Sequence, residues 1–422
     1  MESDMRKKYK KFIPLFKNNK KVVENYFFMT ALQLISSAFG ILIYPYLIRV
    51  MGGESYGLYV YALAITSYFI GLISFGFNFP GVKAISQNKT DISVKSEIVS
   101  SILTSKFYLG ILSFLLFVIL LFSIPFLKEN KLILIIVFTQ VIAEIIYPSW
   151  YFQGVQKMKI VTYIQLTLRI LSVPFIFILV KSPNDVWLYA LIASSTVIVS
   201  SIFLFSYLIY TENLTIRFQQ FNKTRNYFKD ALPFFWSSTA GTIKQESVTI
   251  IIGAFFGMKD VALYDLANKL IMLPRMLTMS INSALFPKII ENVKTETVKK
   301  IIKYETLIGL AVVLFIVAFG YWIVLILGGK EMVDAYPLAI ILSFTVLVWL
   351  VVGCYINFVF VPQRRYYFVT RNQIVALISF FILVIPAVLW SANIMAIVAA
   401  LTISGFSEII YSHYLIKKHK LL

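Results

Sequence analysis

Thr306–Gly329 reads TLIGLAVVLFIVAFGYWIVLILGG, a run without a single charged side chain. As a helix rising about 1.5 Å per residue it measures about 36 Å, enough to cross the roughly 30 Å hydrocarbon core of a bilayer. It lacks the period-2 alternation of a membrane β-barrel, so helix is the reading. Working outward, charge-free windows recur at Asn25–Ile48, Ser55–Val82, Phe107–Leu127, Val186–Thr211 and Ala335–Gln363. Asn372–Ser407 is charge-free over a length for two crossings, with a polar break near Ser391–Asn393. Hydrophobic residues make up 59 % of the 422, and mean hydropathy is +0.81. A soluble domain averages about 45–50 % apolar residues, so this chain is not one. The reading is an all-α membrane protein of about twelve transmembrane helices. The expected spans are 22–48, 56–79, 102–124, 132–152, 160–180, 187–210, 231–256, 262–286, 306–327, 336–361, 372–390 and 393–416.

The 39 Lys and Arg residues sort by connection. With the N-terminus cytoplasmic, 28 fall inside, six outside (Arg49, Lys128, Lys131, Lys181, Lys259, Lys330) and five within spans. That asymmetry is the positive-inside signature and places both termini in the cytoplasm of a bacterial inner membrane. The net charge of +19 is placed to meet the anionic lipids of the inner leaflet, and no nucleic-acid partner is expected. The lone Cys354 rules out a disulfide framework and a Cys-based metal site. His413 and His419 lie beside Lys417, Lys418 and Lys420 and read as interfacial. The first apolar stretch is too long for a signal-peptide core and lacks a small-residue cleavage site. The outer connections are short and the inner ones hold no Gly-rich phosphate cradle, so no catalytic residue is assigned.

The two halves echo each other. Gly52-Gly53-Glu54-Ser55-Tyr56-Gly57-Leu58-Tyr59-Val60-Tyr61-Ala62 aligns with Gly257-Met258-Lys259-Asp260-Val261-Ala262-Leu263-Tyr264-Asp265-Leu266-Ala267 at a constant offset of 205, matching Gly, Leu, Tyr and Ala. Both following helices end near an Asn and a Pro before Lys: Asn78, Pro80 and Lys83 against Asn282, Pro287 and Lys288. Six helices per half make this a parallel repeat about an axis along the membrane normal, an arrangement typical of transporters with a midplane site. The expected division is a basic tail 1–21, a six-helix bundle 22–210, a linker 211–230, a second bundle 231–416 and a basic tail 417–422.

Pro45-Tyr46-Leu47-Ile48-Arg49 running into Gly52, Tyr56-Gly57-Leu58-Tyr59 and Phe75-Gly76-Phe77 form an ordered series. Trp150-Tyr151-Phe152-Gln153-Gly154-Val155-Gln156-Lys157-Met158 and Phe286-Pro287-Lys288 complete it. In this order the chain resembles the polysaccharide transporter family of the multidrug/oligosaccharidyl-lipid/polysaccharide (MOP) exporter superfamily, and within it the Wzx-type O-antigen flippases. The resemblance covers nearly the whole chain. It implies two pseudo-symmetric six-helix bundles around a central, often cationic cavity. It further implies flipping of an undecaprenyl-pyrophosphate-linked repeat unit by alternating access, with polysaccharide polymerase machinery as a further partner. No cofactor is expected; coupling to a proton or sodium gradient stays open. An ion-coupled multidrug exporter of the same superfamily is the alternative, and it would want acids facing the cavity. A membrane polymerase or ligase ranks below it, because such an enzyme needs a large outer loop.

Charges inside the membrane are costly and become site candidates by default. Glu24 and Lys106 lie near the cytoplasmic interface and can snorkel. Asp265 and Lys269 stand i,i+4 and can neutralise each other. Glu144 and Arg169 stand at similar depth on adjacent helices, which predicts an ion pair. Lys244 and Glu246 point to different faces, and Glu246 is a candidate partner for Arg275. Arg275 lies near mid-depth with no acid at i±3 or i±4. Together with Lys244 and Arg49 it is a candidate cavity cation for the substrate pyrophosphate that the resemblance implies. Gln33, Gln140, Asn268, Asn282 and Asn357 read as interhelical hydrogen-bonding groups.

Overall fold

The structure, a computed structural model, describes residues 20–88, 90–290, 295–363, 365–391 and 393–421. Within these, the side chains at 20, 22, 23, 221, 223, 273 and 277–290 are outside the description. The basic tail expected at 1–21 therefore lies outside the described residues except for its last two positions, as do the side chains of Asn282, Pro287 and Lys288. The described chain is nearly all helical and contains no strand.

The helices are α1 Lys20–Ser74, α2 Asn78–Gln87, α3 Ile92–Ser123, α4 Pro125–Glu129, α5 Lys131–Phe138, α6 Gln140–Ile146, α7 Ser149–Gly154 and α8 Met158–Leu179. There follow α9 Val186–Tyr210, α10 Phe221–Phe255, α11 Met258–Ile290, α12 Thr295–Gly328, α13 Ala335–Tyr355, α14 Tyr366–Pro386 and α15 Ile394–Lys418. Local chemistry sets their ends. Asp91 caps α3 by accepting from the Val94 amide at 3.0 Å, and Asn393 caps α15 by accepting from Met395 at 2.8 Å, satisfying amides that lack helical partners. Pro148, which has no N–H, stands at the break between α6 and α7. Single π-helical turns follow α13 at Ile356–Phe360 and α14 at Ala387–Ser391, the latter just after Pro386.

Nine helical stretches among the described residues are long and apolar enough to cross a membrane. Many large apolar side chains stay exposed along them, including Phe114 at 57 %, Ile119 at 63 % and Leu314 at 68 %, as lipid-facing residues must be. The chain is a multi-pass membrane protein. Nine differs from the expected twelve for two physical reasons. The first stretch, Glu24–Gln87, runs through a break at Gly52, whose φ of 73° and ψ of 168° only glycine adopts readily. Second, α10 and α11 carry Lys244, Glu246, Asp265, Lys269 and Arg275, which lower their hydropathy.

Gly257, at the position matched to Gly52, also has a positive φ, 118°. The two matched segments touch. A Cβ on Gly57 would stand 1.8 Å from the Met258 carbonyl oxygen, and one on Gly53 would stand 3.2 Å from Lys259 Cγ. Backbone approach this close requires glycine. At the other end of α1 the contact is aromatic. Phe75 stacks on Phe235 with centroids 4.3 Å apart, and Phe79 on Phe234 at 4.8 Å. Gly76, at φ 72°, lets the turn pass within 2.8 Å of the Phe235 amide nitrogen, measured from where a Cβ would sit.

The segment before α10 lies extended along α3. Amides of Thr215, Arg217 and Gln219 donate to the hydroxyls of Ser96, Ser100 and Thr104 at 3.1, 3.0 and 3.1 Å. Every second extended residue advances about 6.6 Å and every fourth helical residue about 6 Å, so the two registers match. The motif at Trp150-Tyr151-Phe152 is fully packed, with Trp150 at 3 % and the other two at 0 % exposure. It forms a corner in which Gly81 makes room for the Trp150 ring and Gly154 for Ile85.

Candidate functional site

A cavity of about 400 Å³ lies among α10, α11, α13, α14, α15 and the turn Ile356–Phe360. Helical spacing explains which residues reach it. Tyr264, Asn268, Ile271 and Arg275 repeat at three- and four-residue steps along one face of α11, and Leu401, Gly405 and Glu408 do so along α15. Lys244 and Gln245 come from α10, Trp349 from α13, Asn357 from the π-helical turn and Gln373 from α14. Gly405 permits the approach of α15 to α13, its Cβ position being 3.1 Å from Val348. No residue of α1–α9 lines this cavity. The expected cavity between two bundles is thus not the one described; side-chain facing within the second half builds it instead.

Arg275 and Lys244, two of the three expected cations, border the cavity together. The Arg275 guanidinium lies over the Trp349 indole and makes no ion pair with Glu246 among the described residues. The Lys244 ammonium donates to the Glu408 carboxylate, with the two side chains 14 % and 8 % exposed. Glu408, Trp349, Gln245 and Gln373 escaped the sequence reading. The available signal for Glu408 was its position as the one acid within the last apolar span.

Arg49, the third expected cation, is elsewhere. It is exposed and donates to the Ile326 carbonyl at 3.0 Å, where it meets the carbonyl-rich end of α12. The expected Glu144–Arg169 pair does not form. Glu144 receives the Lys106 ammonium on Oε1 at 2.8 Å and on its own carbonyl at 3.0 Å. Lys106 is 1 % exposed, so it does not snorkel. Arg169 turns the other way, donating to the Ser36 carbonyl at 3.2 Å and lying 5.5 Å from the Phe39 ring. Equal depth on neighbouring helices did not decide the pairing, because α8 presents Arg169 to α1 rather than to α6.

Asp265 and Lys269 pair on α11 as their spacing suggests. They also bridge to α1: Tyr56 donates to Asp265 at 2.9 Å and accepts from Lys269 at 3.0 Å. The Lys269 ammonium lies 5.3 Å from the Tyr44 ring and 5.5 Å from that of Tyr56, within cation–π range. Glu246 is half-buried on α10 and makes no hydrogen bond or ion pair with another described residue. Among the described residues no group of His, Cys, Asp and Glu is placed to hold a metal.

With this geometry in hand, the chain can be set beside known proteins. The family described as polysaccharide biosynthesis protein matches residues 22–293. A protein of Escherichia coli (strain K12) named "Putative O-antigen transporter" is 22 % identical over 316 residues, 75 % of each chain. One of the same name from Shigella dysenteriae is 24 % identical over 299 residues, 69 % of this chain and 74 % of that one. Among solved structures, the lipid II flippase MurJ in an inward closed conformation superposes with a TM-score of 0.66 at 14 % identity, covering 94 % of this chain and 87 % of that one. An inward-facing multidrug resistance MATE transporter of the MOP superfamily gives 0.62 at 15 % identity, covering 92 % and 95 %. These likenesses show a shared fold.

Proposed function

The chain belongs to the polysaccharide biosynthesis protein family, and from that premise we propose that it is a flippase for a polyprenyl-pyrophosphate-linked oligosaccharide repeat unit. Twelve helices, in bundles at 22–210 and 231–416 joined by the linker 211–230, would alternate access across the bacterial inner membrane with both termini cytoplasmic. Counting Glu24–Gln87 as two crossings and adding α10 and α11 supports that number. The O-antigen transporter relatives and the fold shared with a lipid flippase support the substrate class.

The observation that carries the reading is Arg275 bordering a cavity inside a membrane-spanning fold. A guanidinium there offers a fork of donors to a pyrophosphate, which only accepts. Lys244 assists when Glu408 releases it. The multidrug alternative wants acids open to the cavity, whereas Glu408 is already matched by Lys244. An ion gradient, proton or sodium, is the proposed energy source.

The test is deletion of the gene followed by location of the undecaprenyl-linked repeat unit. Accumulation in the inner leaflet is expected; exported but unpolymerised units would point to a polymerase instead. In the complemented strain, Arg275→Ala should abolish export at normal membrane abundance. Arg275→Lys should retain part of it, since charge survives but the fork does not. Full complementation by Arg275→Ala would remove Arg275 from the substrate site.

A further inference from the structure

At one end of the second half, cations stand on aromatic rings rather than against carboxylates. The Arg371 guanidinium lies 4.5 Å from the Tyr367 ring centroid, and that of Arg365 lies 5.9 Å from the Phe368 centroid, both within cation–π range. The two rings are neighbours, 4.6 Å apart, and the His419 imidazole stands 4.9 Å from Phe368. Gln363 donates its side-chain amide to the Leu421 carbonyl at 3.0 Å. That bond ties the segment after α15, with Lys417, Lys418 and Lys420, to the connection before α14. Phe368 is buried and shares an apolar cluster with Leu415 of α15 and Val298 of α12.

The charge here has no counterpart within the described residues. The stretch 364–422 holds one acid, Glu408, and Lys244 takes it in the cavity. Arg365, Arg371, Lys417, Lys418 and Lys420 are exposed and form no ion pair with a described residue. The start of α12, beside Val298, adds Lys299 and Lys300 against Glu296 alone. Like charges gathered in this way repel, and an anion from outside the chain offsets them. A guanidinium stacked on a ring has one face covered and its in-plane fork of N–H groups open, the geometry that meets a phosphate edge-on.

The same face of α14 continues as hydrocarbon. Tyr367, Arg371, Ile374, Ile378, Ile382 and Ile385 recur at three- and four-residue steps, which puts them on one side of the helix, and all six are exposed. Ile374–Ile385 spans about 16 Å at 1.5 Å per residue, one leaflet's share of the roughly 30 Å hydrocarbon core. A cation on a ring at the head of an apolar stripe complements a lipid, in which phosphate and acyl chain are joined. A soluble acidic partner would leave the stripe unused. We propose that this face of α14 binds one anionic glycerophospholipid, its phosphate on the edges of Arg371 and Arg365 and an acyl chain along Ile374–Ile385. Neither arginine lines the cavity, so this site is separate from that of the proposed substrate.

The experiment uses the purified full chain, with bound lipid counted by native mass spectrometry. The probes are phosphatidylglycerol and phosphatidylcholine of identical acyl chains, glycerol 1-phosphate as the headgroup without chains, and farnesyl diphosphate. The wild type should hold one phosphatidylglycerol about tenfold or more tighter than phosphatidylcholine, since two cations act on the net charge. Arg365→Gln/Arg371→Gln should erase that preference. Lys83→Gln/Arg225→Gln, which removes two exposed cations from other basic connections, should keep it. Tyr367→Leu retains both arginines but not the ring under Arg371, and should weaken phosphatidylglycerol several-fold; diffuse charge attraction would not notice it. All the variants should melt with the wild type in phosphatidylcholine, because the side chains changed are exposed, and phosphatidylglycerol should raise the midpoint of the wild type but not of the double arginine variant.

Equal retention of the two phospholipids, or a preference that survives Arg365→Gln/Arg371→Gln, overturns the site. A preference lost equally in Lys83→Gln/Arg225→Gln also overturns it, since net charge alone would then be at work. Glycerol 1-phosphate that competes as well as the lipid would assign the arginines to a free phosphate and discard the acyl stripe. Farnesyl diphosphate held through Arg365 and Arg371 more tightly than phosphatidylglycerol would make the patch a landing place for a pyrophosphate lipid, and the phospholipid proposal would fall.

Discussion

Lys244 and Arg275 border one cavity, yet one is neutralised by a carboxylate and the other lies against an indole. The Lys244–Glu408 pair is more than four-fifths buried on both sides. Removing one partner of such a pair leaves an uncompensated charge and costs about 3–5 kcal/mol, whereas replacing both with apolar residues is often neutral. Lys244→Met and Glu408→Gln should therefore each lower the melting midpoint in detergent. The double change Lys244→Met/Glu408→Leu should recover most of the loss, as should the charge swap. Single variants that melt with the wild type would show that the pair carries no stability. At this scale the sequence was legible in part. Counting residues along each helix set Arg275 and Lys244 at similar distances along α11 and α10, and both border one cavity. Which partner each one meets does not follow from counting, because Glu408 and Trp349 arrive from helices distant in the chain. The same reason sent Arg169 to Ser36 and left Glu144 to Lys106.

Among the elements, α1 holds the most consequential breaks. Its middle breaks at Gly52 and sets Gly53 and Gly57 against the start of α11, and the chain just beyond its end carries Phe75 and Gly76 against α10. Apolar runs revealed where helix exists; Arg49 and Glu54 separated the charge-free windows Asn25–Ile48 and Ser55–Val82 in the sequence, whereas the backbone break at Gly52 needs a conformation rather than a composition and shows only in the structure. The packed corner at Trp150-Tyr151-Phe152 gives a physical reason for the motif that looked most specific: its rings fill space left by Gly81 and Gly154. If the Gly57 contact closes one end of the α1–α11 interface, a methyl there must open it, since the neighbour is backbone and cannot rotate away. Gly57→Ala in a Cys354→Ser background should make Ala62→Cys, a position with 0 % exposure, reactive to a small thiol reagent. Gly40→Ala is the control. Nothing lies within 4 Å of its Cβ position, so it should leave labelling unchanged and gain up to about 1 kcal/mol of helix propensity. Equal labelling in both variants would mean that the Gly57 contact does not hold the interface shut.

At the scale of the molecule, sidedness is where sequence and contacts meet. Tyr46 donates to the Val180 carbonyl at 2.6 Å, and Arg49 reaches Ile326. The Gly52–Gly57 segment touches Met258 and Lys259. These are the connections poor in Lys and Arg, and they gather at one end of the molecule. Elsewhere Asn25 accepts from the Met158 amide at 2.9 Å, Lys157 pairs with Glu212, and the segment after Glu212 runs along α3. Those are the basic connections. Charge counting could show this division because each loop votes independently; it could not show the cavity, which depends on how five helices turn their faces. An anionic inner leaflet would hold the basic end inside. Asn222→Cys and Asn184→Cys, each in the Cys354→Ser background, should then separate cleanly. An impermeant thiol reagent on whole cells should label position 184, in the middle of the turn at Pro183–Asp185, and spare position 222 until the cells are opened. Labelling at 222 with protection at 184 would reverse the topology, and with it the side from which the pyrophosphate reaches Arg275.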